Sequence, residues 1–255
     1  MSTTIQLSAL PDVPMIEPGD DLAGVLIEAI GRAGIRPRDQ DVLVLAQKIV
    51  SKSEGRYVSL DEIVPTPRAL DLAEKVGKDP RMVELILRES TEVIRHRPGV
   101  LVVEHRLGFV MANAGIDQSN IPHPQNGESA LLLPEDPDAS CARIKARLDA
   151  EFGVNLGIVI NDSFGRPWRN GVVGVALGAA GLPSVIDMIG EADLFGRKMR
   201  VTEIAFADEI AAAASMVMGQ TDAGRPAIHI RGLAWNAPST DARALLRPRQ
   251  IDMFR

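Results

Sequence analysis

A chain of 255 residues, 45% hydrophobic and 24% charged, can bury a substantial core as one large domain or two small ones. Its formal net charge of −6, with no Lys/Arg cluster, argues against a nucleic-acid partner, because binding a phosphate backbone needs concentrated positive charge. The single cysteine rules out an internal disulfide framework, no apolar run approaches the ~20 residues of a membrane helix, and no signal peptide opens the chain, so a cytoplasmic protein with no membrane partner is expected.

In chain order, residues 4–7 are predicted as a first strand, followed by the loop SALPDVPMIEPGD. Asp20 or Asp21 can cap a helix whose apolar positions Leu22, Val25, Leu26, Ala29 and Ile30 recur at helical spacing, with Gly34 as its stop. DVLVLAQKIV, residues 41–50, reads as one strand, and SKSEGR as a polar turn after it. Thr66-Pro67 and Asp79-Pro80 each put a capping residue ahead of a proline at the first helical position, so two helices are expected. GVLVVEHRLGFVMANAG, residues 99–115, reads as a hairpin turning near residues 106–108. A helix capped by Asp136 before Pro137 runs to about Phe152 and carries Cys141 on its apolar face as buried filler.

LGIVI, residues 156–160, is a short buried strand. Glycines 171, 174, 178 and 181 fit neither GxGxxG nor a P-loop and indicate close backbone packing of a small-residue element. VTEIAFADEIAAAASMVMG is a helix, with Ile204, Ala207, Ile210, Ala211, Ala214 and Met218 at three-to-four spacing and Gly219 as its stop. GRPAIHIRG supplies a last strand. The irregular interleaving predicts a mixed α+β fold in a single unit over residues 1–255, with no domain boundary readable.

Two segments carry chemistry. In INDSFGRPWRNGVVG a buried strand runs into Asp162 and Ser163, hard oxygen ligands suited to Mg²⁺ or Mn²⁺. Arg166 and Arg169 follow, suited to a phosphate or carboxylate and equally at home in a solvated loop salt bridge. Trp168 between them is expected to pack its ring as an anchor. In GFVMANAGIDQSN a second apolar run leads into Asp117, Ser119 and Asn120. Either aspartate alone reads as a turn or capping residue. Two such edges together point to a shared metal site. His96, His105, His123 and His229 show no ligand spacing and read as surface or satisfied core side chains. No Ser-His-Asp order with an elbow glycine motif supports a hydrolase.

LAQKIVSKSEGR, ANAGIDQSN, LLLPEDPDAS, NDSFGRPWRNGVVGVALG and MGQTDAGRP, in this order and at this spacing, resemble the coenzyme F420-0:L-glutamate ligase family over about residues 10–232. The resemblance implies a ligase that uses GTP and two divalent ions, Mg²⁺ or Mn²⁺, with K⁺ as a further ion. Its reaction would join L-glutamate to coenzyme F420-0, the glutamate-free precursor of a deazaflavin coenzyme, and some members add further γ-linked glutamates. The chemistry implied is transfer of the γ-phosphoryl group of GTP to the precursor's carboxylate, then attack on the acyl phosphate by the glutamate amine.

By the same resemblance Asp117 and Asp162 match metal-binding aspartates, and Ser163 and Gln220 match ligands of a second metal, although a carboxylate would be the more expected chemistry at Gln220. Asn120 matches a nucleotide contact. Further nucleotide contacts fall on Leu10 and Pro11, on Gln47, Lys48, Ser51 and Lys52, and on Met218, Gly219, Gln220, Thr221, Asp222, Ala223, Gly224 and Arg225. Arg166 and Arg169 would clamp the precursor's phosphodiester or the carboxylates of glutamate. An intertwined homodimer is implied, and a chain ending at Arg255 implies the stand-alone form. Two rivals are a ligase on the same fold with another acceptor and a non-catalytic nucleotide-binding protein.

Overall fold

The computed structural model describes residues 4–123 and 127–254. Strand β1 (Gln6–Ala9) leads through a long loop to helix α1 (Leu22–Arg32), where the Asp21 carboxylate accepts from the Gly24 N–H at 3.2 Å and satisfies a first-turn donor that no helical carbonyl can reach. Strand β2 (Val42–Ala46) passes without a break into helix α2 (Gln47–Ser53). The strand expected through Val50 therefore ends at Ala46, and the expected turn SKSEGR starts inside a helix. The Ser51 hydroxyl bonds the Gln47 side chain one turn back at 2.9 Å, while Ile49 and Val50 face the core.

Strand β3 (Tyr57–Ser59) precedes helices α3 (Pro67–Val76) and α4 (Pro80–Arg88), capped as expected by Thr66 and Asp79. Strand β4 (Ser90–Arg97), unmarked by its mixed composition, pairs with β5 (Val100–His105), and β5 with β6 (Val110–Ala112) forms the expected hairpin. Strand β7 (Ser129–Leu131) pairs with β3, and helix α5 (Pro137–Phe152) follows its Asp136 cap. Strands β8 (Gly157–Gly165) and β9 (Val172–Ala180) form a long hairpin. A two-stranded arm of β10 (Ile186–Asp187) and β11 (Glu203–Ile204) precedes helix α6 (Phe206–Met218) and strand β12 (Ala227–Arg231). The expected helix from residue 201 thus begins only at Phe206, because residues 203–204 are spent in β11.

The main sheet has the order β1-β12-β2-β8-β9, with β2 and β8 parallel and the other pairs antiparallel. Leu43, Leu45, Ile158 and Ile160 pack on one face against α1 and α5, and Val42, Val44 and Val159 pack on the other against α6. Burial on both faces explains why these strands are continuous apolar runs rather than alternating ones. A second apolar cluster joins α3 and α4 to Leu101 and Val103 of β5. The fold is mixed α+β. Among the described residues no helix is long and apolar enough to cross a membrane. Cys141 is buried, and His229 is a satisfied core histidine, 2.9 Å from the Asp41 carboxylate.

Two details of β8 and β9 position the site. Strand β8 pairs with β2 only as far as Asn161; a register shift at Ile160/Asn161 then lets it run on to Gly165 beside β9 alone. Asp162 and Ser163 are therefore strand residues just beyond the last β2 pairing, not residues at a strand's end. Gly174, opposite Ser163, shows why small residues crowd β9. A Cβ there would stand 2.2 Å from the Ser215 hydroxyl and 2.5 Å from the Ala211 carbonyl of α6, so only glycine lets the helix close on the strand.

Candidate active site

Helix α2 sets Lys48 and Lys52 four residues apart, on one face. Both reach the turn after β6. Lys48 Nζ lies 2.7 Å from Asp117 Oδ2 and donates to the Ser119 hydroxyl at 2.9 Å, and Lys52 Nζ donates to the Asn120 carbonyl at 2.7 Å. Asp117 is at once a turn residue and a site residue, since its Oδ1 accepts from the Ser119 N–H at 3.0 Å and hydroxyl at 2.8 Å. Backbone bonds between Asp117 and Leu131 tie the turn to β7.

The opposite wall is β8 with the loop after α6. Asp162 Oδ1 accepts from the Ser163 N–H at 2.8 Å, and the Gln220 amide donates to the Ser163 hydroxyl at 3.1 Å. Gly219 ends α6 at φ 75°, and the loop folds back so tightly that a Cβ there would meet Ala223 at 2.7 Å. The Asn120 amide donates to the Thr221 carbonyl at 3.0 Å and joins the two walls.

Between them lies a cleft of about 550 Å³. Gln47, Lys48, Lys52, Asp117, Asn120, Asp162, Ser163 and the whole run of residues 218–225 face it. Five expected residues stand outside its lining. Leu10 is in the core, its N–H bonded to the Ala227 carbonyl, and Pro11 follows it; the chain reaches the cleft only with Val13, Pro14, Met15 and Ile16. Ser51 is buried behind Gln47. Arg166 and Arg169 sit on the exposed turn of the β8–β9 hairpin. A strand rises about 3.3 Å per residue, which carries Arg166 roughly 13 Å beyond Asp162. Trp168 is 89% exposed and not the packed anchor expected of it.

Sequence reasoning missed residues 13–16, whose single proline and three apolar residues follow no helical or strand period. It also missed Asn161, whose one signal was its place beside Asp162. The Asn161 amide donates to the Ser215 hydroxyl at 3.1 Å and holds the last turn of α6 to β8.

The carboxylates differ in charge environment. Burial pushes Asp162 up to about 6, against the pull of the Ser163 N–H, and the nearby Asp117 charge pushes the same way. Burial would also raise Asp117, but the Lys48 ammonium and the Ser119 donors outweigh it and hold Asp117 below the usual carboxylate range. Burial and the Lys48 charge lower Lys52. Two carboxylates in each other's field, a hydroxyl and an amide oxygen form an all-oxygen donor set that fits a hard divalent cation. Among the described residues no three His, Cys, Asp or Glu side chains gather to hold an ion unaided. An ion here would draw its remaining ligands from phosphate oxygens and water, as Mg²⁺ commonly does. Gln47 lines the cleft, and its buried Nε2 has no hydrogen-bond partner among the described residues.

The sequence pattern of the F420-0:gamma-glutamyl ligase family matches residues 12–232. A coenzyme F420:L-glutamate ligase of Methanothermobacter thermautotrophicus is 48% identical over 253 residues, covering 98% of this chain and 99% of its own. Ligases of the same name from Methanopyrus kandleri and Methanocaldococcus jannaschii are 44% identical over 257 residues and 38% over 244, covering 99% and 96% of this chain and 98% and 94% of their own. With the match spanning the turn of Asp117, the strand of Asp162 and the loop after α6, the chain belongs to the F420-0:gamma-glutamyl ligase family.

Proposed function

We propose that this chain is a cytoplasmic ligase that joins L-glutamate to coenzyme F420-0, driven by GTP through an acyl phosphate. The observation that carries this reading is one cleft that brings Asp117 and Asp162 together with Lys48 and Lys52, in a chain similar over nearly its full length to proteins named coenzyme F420:L-glutamate ligase. An amide does not form from a free carboxylate in water without a leaving group. Transfer of the γ-phosphoryl group to the F420-0 carboxylate provides one: a carboxylate oxygen bonds phosphorus and GDP departs. The glutamate amine then attacks the acyl carbon, and phosphate leaves with that oxygen.

Phosphoryl transfer asks a protein for alignment and charge neutralisation more than for covalent help. Asp117 and Asp162, with Ser163 and Gln220, would hold two divalent ions, Mg²⁺ or Mn²⁺, which when bound neutralise charge on the phosphate oxygens. Lys48 and Lys52 add positive charge, and the buried setting of Lys52 strengthens its attraction for phosphate. Asn120 and residues 218–225 line the nucleotide's side of the cleft, and a site for K⁺ belongs to the same reading. A homodimer is supported by the bare apolar tip of the β10–β11 arm, where Leu194 and Phe195 are 99% and 96% exposed.

The test is incubation of the purified chain with F420-0, GTP, Mn²⁺ and L-glutamate, read by mass spectrometry. A product heavier by one glutamyl residue, formed with stoichiometric GDP, is expected. Absence of that product, or its formation without any nucleotide, contradicts the proposal.

A further inference from the structure

Both oxygens of Asp117 are engaged by the protein itself. Oδ1 takes the Ser119 N–H and hydroxyl, and Oδ2 takes Lys48 Nζ at 2.7 Å. The ammonium is further held by the Ser119 hydroxyl at 2.9 Å and carbonyl at 3.3 Å, so it rests in a pocket of three oxygens from one short turn. Lys52, one helical turn on, bonds the Asn120 carbonyl and, among the described residues, no carboxylate. Asp162, across the cleft, has the Ser163 N–H on one oxygen and, among the described residues, no ammonium bonded to it. A divalent ion can therefore approach Asp162 directly but reaches Asp117 Oδ2 only by displacing Lys48. The displaced ammonium then needs another anion within reach of its stem. Lys48 is about a quarter exposed and lines the same cleft, so its head can swing without opening the core.

We propose that Lys48 is a resident cation on Asp117 that keeps a bare divalent ion out and yields its place only when nucleotide phosphate arrives to receive the ammonium, so that metal and nucleotide load together. The inference rests on the reading of Asp117 as an ion ligand. Its physical content is a thermodynamic coupling: the nucleotide strengthens metal binding partly by taking Lys48 away, and by reciprocity metal strengthens nucleotide binding equally. A ligase built this way holds a divalent ion at Asp117 only weakly until nucleotide phosphate is in the cleft.

The test titrates the metal-free full-length chain with Mn²⁺, following free Mn²⁺ by electron paramagnetic resonance, without nucleotide and then with GTP, with Mn²⁺ chelated by GTP in solution subtracted from a protein-free titration. In the wild type GTP tightens Mn²⁺ binding about tenfold or more, within the ordinary range of coupling between sites. Lys48→Met, with Lys48→Gln as a second charge-removing variant, binds Mn²⁺ about tenfold more tightly than wild type when nucleotide is absent, and GTP tightens it further by a smaller factor than in the wild type. Lys52→Met, which removes the same charge without freeing a carboxylate, leaves nucleotide-free Mn²⁺ binding close to wild type. Unchanged or weaker binding in both Lys48 variants overturns the proposal, and so does an equal gain in Lys52→Met, which would reduce Lys48 to general repulsion. Asp117→Asn separates the two levels: if it leaves Mn²⁺ binding with GTP intact, the metal reading of the site fails, whatever Lys48 does.

Discussion

Asp41 and Asp162 stand at opposite ends of the β2–β8 pair, and both are withdrawn from water, yet their surroundings drive them in opposite directions. Asp41, just before β2, meets His229 at 2.9 Å and the Arg231 guanidinium at 3.0 and 2.6 Å. Burial would raise it, but these partners more than offset that and hold it below the usual carboxylate range. Burial pushes Asp162 up to about 6, with one backbone donor, the like charge of Asp117 and the more weakly felt Lys48 ammonium nearby. A buried carboxylate furnished with cations is a structural element. One left short of them, in a cleft, is suited to bind something that is not yet part of the chain.

The largest expected effect tests that distinction. Asp162→Asn, and separately Asp117→Asn, should lower turnover by at least about a hundredfold, roughly 3 kcal/mol, in steady-state GDP release with Mn²⁺ saturating. Circular dichroism should show the fold retained, since neither side chain lies in an apolar cluster. Normal turnover in either variant would erase the difference between the cleft carboxylates and Asp41.

Asp41→Asn should do the reverse, sparing the cleft and weakening the fold by about 1–3 kcal/mol at neutral pH in urea unfolding. Its folded pKa is depressed, so its stabilisation is full above the ordinary carboxylate value of ~4 and is lost as pH falls through the lower folded value. The gap between wild type and Asp41→Asn should therefore close on acidification. A gap that stays constant down to about pH 2 would show that charge at Asp41 is not what stabilises the fold.

How much of this could be read from residue order depended on range. The caps at Thr66, Asp79 and Asp136 were legible because a cap and its helix are a few residues apart. Asp117 and Asp162 were legible as carboxylates at the ends of apolar runs, whereas residues 218–225 were reached only through the family resemblance; all of them face the cleft. The geometry of the cleft was not legible. VLVLA flows into QKIVSKS with no glycine or proline between, so the helical face that presents Lys48 and Lys52 was hidden inside a supposed strand and turn. The extension of β8 to Gly165 depends on pairing with β9, a tertiary fact, and it moved Arg166 and Arg169 away from the aspartate they follow in sequence.

Smaller effects sharpen the comparison within the cleft. Lys52→Ala should lower kcat/KM for GTP about tenfold, through a higher KM and a lower kcat, because phosphate charge grows in importance as the bond breaks. An unchanged GTP response would put Lys52 among the purely structural charges with Arg231. Arg166→Lys and Arg169→Lys should leave the GTP constants near wild type, since both arginines lie outside the cleft lining. If they clamp an anionic substrate, KM for F420-0 or glutamate should rise severalfold with loss of the planar fork. Constants unchanged for all three substrates would make them solvated loop residues.

The central claim, that this cleft activates a carboxylate by phosphorylation, is tested most directly by following oxygen. F420-0 carrying ¹⁸O in its terminal carboxylate is incubated with the chain, GTP, Mn²⁺ and L-glutamate, and the released phosphate is analysed by mass spectrometry. One ¹⁸O should appear in the phosphate, carried there when the amine displaces it from the acyl carbon. Product formation with unlabelled phosphate would contradict the account.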